Sequence, residues 1–382
     1  MHPTRRIAYL TGTRADFGLM AGTLRRLHRH PGTEVSVLVT GMHLSAQYGM
    51  TVDEVEASGL PVAARIPLAI DERSQQGMAR AVGEAVVGVA AALTQSRPDV
   101  LLLLGDRGEM LGGAIAALHL GVPIAHLHGG EQSGTIDEPI RHAITKLSHL
   151  HLVATEESRQ RVVRMGEAPQ SVYVVGAPSL DDVVGRSDLP REQVIRALGL
   201  PAGVRYALVL FHPVVQEMAQ AQAQAGALQA ALEGEVLGRG MHVIWLAPNA
   251  DAGSAAIVTA MQRAAGPQVH GVTHLPRARY LDALACADVL AGNSSSGIIE
   301  AASLGTPVVN IGTRQRLRQR NANTRDCASD AASIRLALAA ALQHGRYAPG
   351  NVYGDGRSGE RICELLVTLP LPPSLLDKSN AY

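Results

Sequence analysis

Two stretches lying far apart in this chain repeat one pattern of punctuation. Asp99-Val100-Leu101-Leu102-Leu103-Leu104-Gly105 leads through an Ala-rich segment to Leu120-Gly121-Val122-Pro123-Ile124. Asp288-Val289-Leu290-Ala291-Gly292 leads through another to Leu304-Gly305-Thr306-Pro307-Val308. In both, an apolar strand ends in glycine, a helix follows, a second glycine closes it and a proline opens the next strand. Unbroken apolar strands are buried on both faces, which calls for helices on both sides of a parallel sheet.

The same alternation runs along the chain. Strands are expected at 6–10, 34–40, 100–104, 123–127, 171–175, 206–211, 241–246, 289–291 and 308–311, with helices at 18–28, 112–120 and 298–304. The pattern predicts an α/β fold of two Rossmann-like, doubly wound domains facing a cleft, 1–178 and 179–365. Gly176–Asp188 is the expected crossing, and 366–382 is expected to return to the first domain. With 382 residues, each domain can bury its own core.

Composition excludes several classes. Apolar residues make up 46% and charged residues 18%, which places the chain among folded soluble proteins. Formal net charge is zero, which argues against broad binding of nucleic acid or anionic membrane, so any anion must be held locally. The cysteines Cys286, Cys327 and Cys363 are widely spaced without CxxC, as in a reducing cytoplasm. The first apolar stretch, Ile7–Leu10, is too short for a signal peptide, and no run is expected to approach a membrane span.

In doubly wound sheets ligands bind beyond the carboxyl ends of the strands, and here those ends are polar. Thr11–Gly18, Gly41-Met42-His43, Gly105-Asp106-Arg107 and His126–Glu131 follow strands in the first half. His212-Pro213, Pro248–Asp251, Gly292–Gly297 and Gly312-Thr313-Arg314 do so in the second. Gly292-Asn293-Ser294-Ser295-Ser296-Gly297 reads as a phosphate seat, since small residues admit a ligand to the backbone and a helix start offers free N–H groups. Arg14 with Asp16 has a second reading, as a local ion pair that caps a helix. Most of the 15 histidines fit core or surface duties, whereas His212 sits at an abrupt strand end. GxGxxG after the first strand, GxxxxGK[ST], HExxH, CxxC and a GxSxG elbow are absent, so neither a redox cofactor nor a metal is expected.

Taken together, Gly12–Gly18 (GTRADFG), Thr40–His43 (TGMH), Gly105-Asp106-Arg107, Gly129-Gly130-Glu131, Ser133–Glu138, Ile140-Arg141-His142, His212-Pro213-Val214, Gly292–Gly297 with Glu300, and Gly312–Gln315 resemble the motifs of the hydrolysing UDP-N-acetylglucosamine 2-epimerases. The matches run in order over most of the chain. The resemblance implies a glycosyltransferase-B architecture, a UDP-N-acetylhexosamine substrate and a homodimer or higher assembly in the cytoplasm. It also implies a reaction that the chemistry makes sensible. Carbon 2 has no neighbouring carbonyl, so inversion without NAD requires loss of UDP to a 2-acetamidoglycal and readdition of water, giving N-acetylmannosamine.

By the same resemblance, Asp106 and Asp137 move protons and His212, Arg107 and Arg314 flank the departing diphosphate. Ser294, Ser295 and the Gly297 N–H cradle it. Glu300 takes the ribose hydroxyls, Tyr280 matches an aromatic position that packs on uracil, and Arg14 reaches the nucleotide. His43 and Asn249 match positions lining the sugar and nucleotide. Some family members read HIEGGE where this chain has His126-Leu127-His128-Gly129-Gly130-Glu131, so an imidazole replaces a carboxylate at 128. That change fits either UDP-N-acetylglucosamine or a diacetamido, 6-deoxy sugar of the legionaminic acid branch. A glycosyltransferase or a nucleotide-sugar binding module on the same fold is the remaining alternative.

Overall fold

The computed structural model describes residues 4–70, 74–134, 137–186, 189–249 and 251–381. Thr135, Ile136 and Ala250 of the motifs, Ser187 and Asp188 of the expected crossing, and Tyr382 of the tail lie outside the described residues. The chain divides into two compact units: Met1–Glu131 with Asp137–Asp182 and Tyr353–Tyr382, and Gln132–Ile136 with Val183–Val352.

The first unit carries seven parallel strands. In chain order they are β1 (Arg5–Thr11), β2 (Thr33–Thr40), β3 (Val62–Ile66), β4 (Val100–Leu104), β5 (Ile124–Leu127), β6 (Leu150–Val153) and β7 (Val172–Val174). They lie side by side as β3-β2-β1-β4-β5-β6-β7. Successive strand residues point to opposite faces, so β1 sends Tyr9 into one core with Met20, Val37 and Leu102, and Leu10 into the other with Leu38, Leu101 and Leu103.

The helix Ser358–Thr368 belongs to this unit. Ile362, Cys363 and Leu366 enter its core, and the N–H groups of Ser358 and Gly359 donate to the Asp181 carboxylate at 2.8 and 2.6 Å. The expected second domain, 179–365, therefore closes at Val352 instead. Further along, the Lys378 ammonium lies 2.8 Å from the buried Glu167 carboxylate, which also meets Lys146 at 2.6 Å and His151 at 2.9 Å.

One helix corrects an expectation. Gln75–Ser96 is long and apolar enough, by length and composition, to cross a membrane. Its buried side, Val89, Ala92 and Leu93, fills a core of the first unit, and Gly112 of the helix Gly108–His119 fits so closely that a Cβ there would meet the Ala85 methyl at 2.7 Å.

The second unit has six parallel strands: β8 (Tyr206–Leu210), β9 (His242–Leu246), β10 (Val269–Val272), β11 (Val289–Gly292), β12 (Val308–Ile311) and β13 (Thr324–Cys327). Their order is β10-β9-β8-β11-β12-β13. Val209, Val243 and Trp245 face one core, and Leu208, Ile244 and Leu290 face the other. In each sheet the order reverses once, between β1 and β4 and between β8 and β11, and such reversals are where doubly wound folds bind ligands.

At the second reversal Gly292 has φ +148°, and a Cβ there would stand 2.0 Å from the Leu210 carbonyl oxygen. Gly292→Ala must push apart two central strands, so we expect a loss of about 2 kcal/mol or more. A urea melt of the second unit's Trp245 fluorescence checks this; an unchanged midpoint contradicts it.

Candidate functional site

Past the end of β4, Gly105 turns the chain into Asp106 with φ +82°. The turn is held from behind by His126 on β5, whose Nε2–H donates to the Gly105 carbonyl at 2.7 Å while Nδ1 meets the Thr145 hydroxyl at 3.2 Å. Asp106 itself pairs with Arg141, which is 1% exposed on the helix Asp137–Leu147. Residues four apart share one helix face, so Arg141 brings the Asp106 carboxylate beneath the turn that begins with Asp137. Of the two carboxylates singled out in the sequence, Asp106 pairs with the Arg141 guanidinium, and Asp137 opens the helix that carries Arg141. Arg141 was legible only as part of a motif.

Beside them, past β5, His128 has φ +61°, a conformation that costs a non-glycine residue on the order of 1 kcal/mol. Its Nδ1 bonds the Glu131 carboxylate, and both groups are buried. Strain of this kind persists where surrounding contacts demand it.

Other expected residues of the first unit have structural partners. His43 is fully buried, with Nε2 at 3.0 Å from the Thr11 hydroxyl and Nδ1 at 2.9 Å from the Thr51 hydroxyl. Two threonine hydroxyls thus hold the ring in place. Arg14 opens the helix Arg14–Arg29, where the charge of Glu54 acts on it. Asp16 closes a capping box with Thr13 and accepts from the N–H groups of Gly12 and Thr13 at 3.1 and 2.8 Å. Arg107 occupies the N-cap position of the next helix, and its side chain approaches Glu109 at 3.4 Å.

In the second unit the glycine–serine turn enters a helix sooner than expected, at Ser295, but only as far as Ile298. Ile299 breaks it before Glu300–Ser303. A four-residue helix has little macrodipole, and even a full one is worth about 0.3–2 kcal/mol. A charge-assisted hydrogen bond contributes about 1.5–3 kcal/mol, so side chains must dominate any anion site here. Gly297 also differs from expectation: its N–H already donates to the Ser294 carbonyl at 3.1 Å. Its lack of a side chain serves packing, since a Cβ would meet Val308 at 2.9 Å and Leu290 at 3.1 Å.

Around this turn stand the other expected residues. Arg314 Nη1 donates to the Asn293 carbonyl at 3.2 Å, and the Asn249 N–H donates to His212 Nδ1 at 3.2 Å. The Tyr280 hydroxyl donates to Ser296 at 2.5 Å, and the buried Glu300 pairs with Arg277 at 2.8 Å. Arg277 and Tyr280 share one helix face, and Arg277 carried no sequence signal. Glu217, also missed, accepts from Gln224 at 2.7 Å and from the Thr313 hydroxyl, tying the segment after His212 to the loop that holds Arg314. The histidines, cysteines and carboxylates among the described residues form no cluster of three that could hold a metal.

The buried imidazoles make the fold acid-sensitive. Burial pushes His43 and His149 from the ordinary 6.5 down to about 4, and His126 down to about 3. Unfolded rings take up protons near 6.5 while the folded ones stay neutral, so their stability is complete above 6.5 and lost as pH falls toward 4. Each ring loses on the order of 1 kcal/mol per pH unit there. Asp16, lifted by burial from 3.8 to about 6, works the opposite way below 6, but it is one group against three. Urea midpoints should therefore fall from pH 7 to pH 5, and less steeply in His43→Gln; a flat or rising profile contradicts this.

These strand-end clusters lie in a chain with recognisable relatives. A family model described as UDP-N-acetylglucosamine 2-epimerase matches residues 25–367. The chain is 45% identical over 380 residues to a UDP-N,N'-diacetylbacillosamine 2-epimerase (hydrolyzing) of Legionella pneumophila, covering 99% of this chain and 100% of the relative. It is 33% identical to a UDP-N-acetylglucosamine 2-epimerase of Neisseria meningitidis, covering 95% of each. In fold it is similar to the crystal structure of a UDP-GlcNAc 2-epimerase from Neisseria meningitidis bound to UDP-GlcNAc, with a TM-score of 0.77 at 16% identity over 95% of this chain and 99% of that one. The ordered motifs, the two Rossmann-like units of glycosyltransferase-B type and these likenesses agree: the chain belongs to the UDP-N-acetylglucosamine 2-epimerase family.

Proposed function

We propose that this protein is a hydrolysing 2-epimerase of UDP-N,N'-diacetylbacillosamine. The 45% identity over 99% of the chain to a relative of that name carries the choice of sugar. The second reading, UDP-N-acetylglucosamine giving N-acetylmannosamine, is supported by the 33% identity to the meningococcal relative.

In either case the C2–H proton passes to a carboxylate as the C1–O bond to UDP breaks, leaving a 2-acetamidoglycal. Water then bonds to C1, and a proton returns to C2 from the opposite face. The product is the free, C2-inverted sugar. Asp106 and Asp137 are the proton carriers in this reading; the pairing of Asp106 with Arg141, which lies on the helix that Asp137 opens, supports it. His128, braced by Glu131, occupies the position where some relatives carry a carboxylate, and an imidazole can move protons near neutral pH.

Departing diphosphate gains negative charge, which fixed donors stabilise most as the bond breaks. Ser294, Ser295, His212, Arg107 and Arg314 take that part. Glu300, oriented by Arg277, accepts the ribose hydroxyls, Tyr280 packs on the uracil and Asn249 lines the nucleotide, while in the first unit Arg14 and His43 match family positions for nucleotide and sugar. The active form is a cytoplasmic homodimer or tetramer, and the reaction needs no cofactor.

Incubation with each UDP-sugar in deuterium oxide tests the reading. We expect UDP, a free sugar deuterated at C2, and a kcat/KM at least tenfold higher for the diacetamido substrate. Preference for UDP-N-acetylglucosamine would move the assignment to the second reading, and intact nucleotide sugars would remove both. Asp106→Asn should lower UDP release by about 10²–10⁴ with UDP affinity nearly intact; wild-type turnover in that variant would show the base to be elsewhere. Ser295→Ala should raise the Kd for UDP measured by calorimetry, and an unchanged Kd would take Ser295 out of the seat.

A further inference from the structure

β8 and β11 are the neighbours at which the second sheet reverses, and one side chain ties together the residues just past their ends. Asn293 Oδ1 accepts from the main-chain N–H of His212 at 2.7 Å, and Asn293 Nδ2 donates to the main-chain carbonyl of His212 at 2.8 Å. The amide thus adds one more rung beyond the last ladder bond, and both residues are buried. The Asn293 carbonyl in turn receives Arg314 Nη1 and Gln315 Nε2, each at 3.2 Å. Asn293 therefore joins the ends of three strands, β8, β11 and β12.

The His212 ring has a partner of its own. Its Nδ1 lies 3.2 Å from the main-chain nitrogen of Asn249, whose N–H points at it. A peptide N–H can only donate, so Nδ1 must offer its lone pair. The ring is then neutral, with its proton on Nε2.

We propose that Asn293 is a positioning residue which, together with the Asn249 N–H, fixes His212 as a neutral Nε2–H donor to the departing diphosphate and denies it the role of base. The identity of the anion rests on the UDP-sugar reading above; the tautomer does not. A neutral imidazole has one lone pair, and Asn249 already uses it. Proton abstraction at C2 therefore falls to the carboxylates, while His212 strengthens its hydrogen bond as charge grows on the leaving oxygen. Asparagine is required because it offers an acceptor and a donor to the two main-chain groups of His212. Aspartate keeps the shape but sets an anionic oxygen against the His212 carbonyl.

The experiment is 15N spectroscopy of histidine-labelled full-length protein at pH 7, with the His212 signals assigned by their loss in His212→Gln. We expect a pyridine-type Nδ1 and a pyrrole-type Nε2, unchanged when UDP is added. An imidazolium, or a proton on Nδ1, overturns the proposal whether or not any sugar is turned over. In Asn293→Asp we expect that fixed tautomer to be lost and kcat for UDP release to fall at least tenfold, with KM changing less. Wild-type spectrum and turnover in that variant would overturn the role of Asn293. Asn293→Ser, with one hydroxyl in place of the two-point amide, gives the same comparison should the aspartate variant not fold. If the wild type releases UDP from neither sugar, the substrate reading fails, while the spectra of the wild type and of the Asn293 variants still decide this proposal.

Discussion

No side chain fits at position 292, and the second unit is organised around that fact. Because β11 can approach β8 this closely, the residue after Gly292 lies within reach of the main chain after Leu210, and Asn293 uses its amide to extend the pairing. The ladder would otherwise stop there and leave buried peptide groups of His212 unsatisfied, at a cost of about 1–3 kcal/mol each. The serine turn, the imidazole of His212 and the arginine after β12 therefore share one fixed origin. A phosphate seat built only from a four-residue helix would have little field and little rigidity.

The first unit solves the same problem differently. Its reversal between β1 and β4 is secured by buried polar side chains rather than by a close backbone approach. His126 grips the Gly105 carbonyl, Asp16 gathers the N–H groups of Gly12 and Thr13, and Arg141 holds Asp106. Such networks are rigid only when each member keeps its partner, and they work at one protonation state. The neutrality of His126 and His43 is thus a structural requirement as much as a consequence of burial, which holds them at about 3 and about 4.

The central strands were legible because a strand buried on both faces must be a continuous apolar run, as Val100–Leu104 is. β3, β6, β10 and β13 were not, since Val-Ala-Ala-Arg-Ile, Leu-His-Leu-Val, Val-His-Gly-Val and Thr-Arg-Asp-Cys interrupt that run with polar or small residues. Candidate site positions stood out as polar residues past strand ends, because strand ends are where a doubly wound sheet exposes them. Their partners were not. Arg277, Glu217 and Arg141 take their meaning from residues 23, 96 and 35 positions away, a relation that no local pattern carries. The same holds for His43, whose ring lies between the hydroxyls of Thr11 and Thr51, 32 and 8 positions away.

The imidazole at 128 is best understood through the same distinction between a residue and its partner. A histidine held in the left-handed region is an unfavourable choice for a loop that only needs to turn, since glycine stands next to it at 129 and 130. Glu131 supplies the reason for keeping it. Its buried carboxylate accepts at Nδ1, the reverse of the Asn249 N–H that donates to Nδ1 of His212. An acceptor at Nδ1 favours a ring that can gain and lose a proton at Nε2, whereas a donor at Nδ1 favours one that keeps it. Two histidines past strand ends therefore meet opposite neighbours at Nδ1, a carboxylate acceptor for His128 and a peptide donor for His212.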